Sequence, residues 1–168
     1  MSKKWVSLGT LLVLMLIVGW WLISPLFLDE TVNEELPPTI EGTETTSAVE
    51  MSDGRSEDTQ ARHYSGKFVN ADEKHQASGD VTTFQTNNQQ WVRLENFEVT
   101  NGPDLYTILV KEGQSTREGI ILGKLKGNIG NQNYRIPEST FLEEGDRIVI
   151  WCKAFEVDFG FAELFLKE

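Results

Sequence analysis

The chain has one cysteine and two histidines among 168 residues. A lone Cys152 excludes an intramolecular disulfide, a C-x-x-C redox pair and a thiolate zinc centre. His63 and His75, in polar surroundings and without a positioned carboxylate, do not make a metal site. No G-x-S-x-G and no H-E-x-x-H occurs, so hydrolase chemistry has neither a nucleophile nor a metal to work with. Basic residues are also scarce, 15 against 26 acids for a net charge of -11. A protein that tracks phosphates needs clustered Lys and Arg, so nucleic acid is excluded as a partner.

What is there falls into three segments. Residues 1–28 carry +2 from Lys3 and Lys4, residues 29–61 carry ten acids against Arg55 alone, and residues 62–168 carry 12 bases and 16 acids. From Trp5 to Leu28 no residue is charged, and as a helix this run would be about 36 Å long, more than the ~30 Å of a bilayer core. A cleaved signal peptide has a similar layout. The length of the run and the absence of an A-x-A-like site near Ser24-Pro25-Leu26-Phe27 favour a retained single-pass anchor. The preceding lysines put the N-terminus in the cytoplasm and the rest outside the cell membrane. Residues 29–61, with Pro37-Pro38, many Thr, Glu and Ser and few large apolar side chains, read as an acidic disordered linker. Its Asp53-Gly54-Arg55-Ser56-Glu57-Asp58 lacks the ligand spacing of a calcium loop.

Residues 62–168 switch to short alternating or apolar runs separated by Gly, Asn, Pro and Asp, the pattern of an all-β domain. Strands are expected at Tyr64 to Val69, Gly79 to Gln85, Gln90 to Val99, Leu105 to Lys111, Ile120 to Lys126, Asn131 to Ile136, Arg147 to Ala154 and Val157 to Leu166. The turn residues Asn101-Gly102-Pro103-Asp104 suggest a hairpin between the third and fourth. The expected architecture is an antiparallel β-sandwich or flattened barrel. Alternation puts Ile148, Ile150, Cys152 and Ala154 on one face of a central strand, and Val149, Trp151 and Phe155 on the other. Phe155, Val157, Phe159 and Phe161 read as a core strip.

Cys152 is then either a small buried apolar side chain or a functional thiol: redox-active, a cofactor ligand, or half of an intermolecular disulfide. One histidine could stand as an axial ligand opposite it. The glycine- and amide-rich run Gly127-Asn128-Ile129-Gly130-Asn131-Gln132-Asn133-Tyr134 follows no βα pattern and is expected to be a loop leading into a strand rather than a phosphate cradle.

Several spaced elements resemble the DM13 domain family: Gly102-Pro103-Asp104-Leu105-Tyr106, Leu122-Gly123-Lys124-Leu125-Lys126-Gly127 with Gly130, Tyr134 and Ile136-Pro137, and Val149-Ile150-Trp151-Cys152 with Phe155, Phe159-Gly160 and Ala162. The resemblance covers about residues 62–166. It implies an extracytoplasmic β-rich domain acting in electron transfer or oxidative modification at the cell surface. Its characteristic cysteine corresponds to Cys152, as a bare thiol or as the holder of a prosthetic group such as haem. The resulting expectation is a membrane-anchored redox domain acting through Cys152 with a redox partner protein or cell-surface protein. The alternative is a non-catalytic binding module that recognises a wall polymer or protein, with Cys152 as core.

Overall fold

The computed structural model describes residues 3–23, 28–37 and 63–167. Lys3–Ile23 form one α-helix, α1, in a leucine-rich run free of proline and β-breaking turns. Among the described residues, no helix is long and apolar enough to cross a membrane. The span expected over residues 5–28 is therefore not found there, and its residues 24–27 lie outside the described residues.

The rest is a single curled sheet of ten strands: β1 (Thr31–Asn33), β2 (Tyr64–Asn70), β3 (Ala77–Thr86), β4 (Gln89–Val99), β5 (Leu105–Val110), β6 (Ile120–Lys124), β7 (Ile129–Arg135), β8 (Arg147–Cys152), β9 (Val157–Glu163) and β10 (Phe165–Leu166). Their order is β1-β7-β4-β3-β2-β9-β8-β5-β6, with β10 paired to β2 beside that path. All pairs are antiparallel except β1 with β7. The eight strands read from alternation are all present. The sheet rolls into an open half-barrel rather than splitting into the two layers of a sandwich.

Inward-facing residues fill the curl. Val81, Val92, Leu94, Phe97, Leu109, Ile136, Ile148, Ile150, Ala162 and Leu164 are all buried in one cluster, which at roughly 1.5–3 kcal/mol per large apolar side chain is the main stabilising term. Two fully buried polar side chains are well paired. Gln132, fully buried, donates to the Gly127 carbonyl at 2.7 Å and accepts from the Tyr134 hydroxyl at 2.7 Å and the Lys126 N–H at 3.1 Å, closing the β6–β7 connection. Asp146, also fully buried, meets Lys111 at 2.7 Å and accepts the Glu143 N–H at 2.9 Å.

Three expectations are corrected. The Asn101–Asp104 turn does not make a hairpin: β4 pairs with β3 and β7, while β5 pairs with β6 and β8. Turn residues bend the chain locally but do not choose the partner, and here the chain crosses the barrel mouth. The aromatic strip is split, because β9 advances two residues while β8 advances one between Gly160 and Asp158. This bulge reverses the face: Phe159 lies in the core, Phe161 packs on the outer face, and Phe155, in the turn, is 68% exposed. Finally, the stretch read as linker is ordered at its start. Thr31–Asn33 add a parallel strand to β7, and residues 38–61 of that linker lie outside the described residues.

Candidate functional site

Strand β8 is flanked by β5 and β9, with Cys152 as its last residue, opposite Leu105 and Val157. Its side chain has no exposed surface and belongs to the inner core with Ile148 and Ile150, on the face that alternation assigns to it. Val149 is buried on the other face, against half-buried Tyr106, Trp151 and Phe161. The strand is thus covered on both sides. Lys153 follows at once into an exposed turn, its N–H bonded to the Asp104 carbonyl at 2.9 Å, so the thiol sits one residue beneath the rim of the barrel.

Strand directions put the connections 71–76, 100–104, 125–128 and 153–156 at this same rim, together with the start of β1. His75 belongs here. Its ring lies 4.3 Å from Phe159, and its Nδ1 is 2.7 Å from Asp72 Oδ2. That hydrogen bond, with the N–H groups of His75 and Lys74, holds the Asp72 carboxyl down at about 2. His63 is at the far end, with Nδ1 3.1 Å from the Thr83 carbonyl. The structure therefore does not bring His63 to Cys152, and it engages the Nδ1 of His75 with a carboxylate.

Two cavities open at opposite ends. The rim cavity, about 570 Å³, is lined by Asp29, Asn70, Gln76, Glu98, Asn101 and Asn128 among others. The far cavity, about 710 Å³, is lined by Leu36, Pro37, His63, Phe84, Arg93 and Lys167 among others. Cys152 lines neither, being enclosed by apolar neighbours. A haem bound through this thiol would need a plane-sized gap against the sulfur, and these residues do not provide one. Among the described residues no group of three His, Cys, Asp or Glu is arranged to hold a metal ion.

The residues that sequence reasoning passed over are those that fasten the chain entering the domain. Asp29 Oδ1 accepts from the Asn128 amide at 2.8 Å and the Asn101 amide at 2.9 Å, and Asn128 in turn accepts the Glu30 N–H at 2.6 Å. Glu34 bonds Lys126 through both carboxylate oxygens, at 2.7 and 2.8 Å, and accepts the Asn133 N–H at 2.8 Å. The Asn133 amide donates to the Glu35 carbonyl at 2.8 Å, and Arg93 reaches the Glu34 carbonyl at 3.1 Å. Partial burial pushes the Glu34 carboxyl up, but the Lys126 and Asn133 hydrogen bonds and the charges of Lys126 and Arg93 outweigh it, leaving it below the usual value.

The glycine- and amide-rich run is the seat of this strap. Gly130 has φ +110, accessible mainly to glycine, and no room for a side chain beside the Val32 carbonyl; Gly127 has none beside the Glu30 carbonyl. The only signal in the sequence was the conjunction of small residues and amides in one run.

The geometry defines a small all-β domain, a curled and mostly antiparallel sheet with one shielded thiol just beneath its rim. Residues 67–164 match the family described as Electron transfer DM13, and the chain belongs to that family. No curated protein and no solved structure matches the chain.

Proposed function

We propose that this chain is an extracytoplasmic electron-transfer domain tethered to the cell membrane by its N-terminal segment, with Cys152 as its redox-active side chain. One observation carries the assignment of the residue: the chain's single thiol lies fully shielded one residue below an exposed turn, in a domain of an electron-transfer family. Shielding keeps water and bulk oxidants from the sulfur, while its place at the strand end keeps it near a docking partner. The tether rests on composition, the uncharged run from Trp5 to Leu28 behind two lysines.

The binding-module alternative draws on the same burial, which suits a core residue. It is weakened because Asn128, Asn131 and Asn133, the amides such a module would use, are engaged by the strap. The deciding experiment is thiol titration and redox cycling of the full-length chain in detergent, beside Cys152→Ser. A redox response that vanishes in the variant supports the proposal. Absence of any response, with a thiol that reacts only on unfolding, refutes it in favour of the binding module.

A further inference from the structure

Where the strap docks determines which end of the domain looks toward the anchor. Between Ile23, the last residue of α1, and Leu28 there are five residue steps, at most about 18 Å of chain. Asp29 is then pinned to Asn101 and Asn128 at the rim that carries Cys152. From Thr31 the strap runs along β7 away from that rim and ends at Pro37, which lines the far cavity. His63 lines the same cavity. The acidic segment 38–62, six acids against two bases, thus leaves and re-enters at the far end and does not lie between anchor and domain.

We propose that the Cys152 rim is the membrane-facing surface of the domain, held against the lipid headgroups by the strap. This rests on the tether proposed above. The short connection leaves the rim little reach. Charge at the rim is mixed, with Lys74, Lys124, Lys153 and the Glu34-paired Lys126 among Asp29, Glu30, Asp72, Glu73, Asp104 and Glu156, so the placement rests on the short connection and on exposed apolar side chains. Pro37 and His63, which flank the acidic segment 38–62 in the chain, both lie at the opposite end, away from an anionic surface that would repel such acids. Phe155 and Leu28, 68% and 64% exposed, give the rim apolar side chains able to enter the interface. A redox partner would then be embedded in the membrane or lie flat on it.

Two exposed phenylalanines provide a matched test, Phe155 at the rim and Phe141, 81% exposed, in the connection from β7 to β8 at the far end. In the full chain carrying Cys152→Ala, Phe155→Cys or Phe141→Cys is labelled with an environment-sensitive fluorophore. The protein is reconstituted into vesicles of equal parts phosphatidylcholine and phosphatidylglycerol with a nitroxide on the lipid headgroup. The label at 155 should lose most of its emission and the label at 141 should keep it. Equal quenching, or stronger quenching at 141, in protein that floats with the vesicles overturns the orientation while leaving the tether standing. Protein that does not float with the vesicles overturns the tether and the orientation with it.

Discussion

Replacing Gly127 by alanine should detach the strap without unfolding the barrel. A methyl group built there stands 2.9 Å from Val32 Cγ2 and closer still to the Glu30 carbonyl oxygen, so the strap must move outward. The bond from the Ile129 N–H to that carbonyl is already 3.2 Å long and would be lost, and the Glu30 N–H would be drawn off Asn128. Two such bonds at about 1 kcal/mol each set the cost near 2 kcal/mol, roughly a 30-fold shift in docking. The core cluster is untouched, since Gly127 faces the strap and not the interior. Hydrogen exchange of the full-length protein reads both parts at once. Peptides covering 28–37 and the N–H of Ile129 should exchange faster by about that factor, while β8 and β9 keep their protection. Unchanged strap exchange, or protection lost throughout the sheet, would refute the assignment of Gly127 as the strap's seat.

Further outcomes follow from individual groups. Because the folded carboxyl of Glu34 lies below its usual value, the strap contact is fully present above the usual carboxylate range and lost as pH falls through it toward the lowered value. Acidification should therefore raise strap exchange before the barrel melts, and Glu34→Gln should remove that pH dependence. Cys152→Ser puts a hydroxyl among apolar neighbours and should cost about 1–3 kcal/mol in urea unfolding, whereas Cys152→Ala should cost less. Asp146→Asn leaves Lys111 only the exposed Glu143 as a charged partner and should lower stability by about 2 kcal/mol, below the usual loss for breaking a fully buried pair because Lys111 is partly solvated.

Much of the barrel was legible because it is built from alternation. The inner face of β8, with Ile148, Ile150 and Cys152, follows from counting by two. The count fails where the chain leaves the pleat. Ala154 and Phe155 fall in the turn that begins at Lys153, and the bulge between Asp158 and Gly160 sends Phe159 and Phe161 to opposite faces. No run of single residues signals a bulge in advance. β1 was invisible for another reason: Thr31-Val32-Asn33 has one apolar residue and lies in an acidic stretch. It is a strand because Asn128, Asn131, Asn133 and Lys126 are presented to it by segments almost a hundred residues away. Burial of the thiol followed from its neighbours in sequence, but its position beneath the rim depended on sheet order.

The strap also changes what the acidic segment can do. A linker between anchor and domain would set their separation, so shortening it would pull the domain inward. Residues 38–62 instead start and finish beside the far cavity, where Pro37 and His63 both lie. With its ends already held, halving the length of the segment is worth about 0.6 kcal/mol of loop-closure entropy in favour of the docked strap. Deleting residues 44–55 should therefore leave exchange of residues 28–37 unchanged or slightly slower. The difference in lipid quenching between positions 155 and 141 should be unchanged too. If the deletion instead frees the strap, or draws position 141 toward the lipid, the acidic segment is a tether after all and the strap is not what orients the domain.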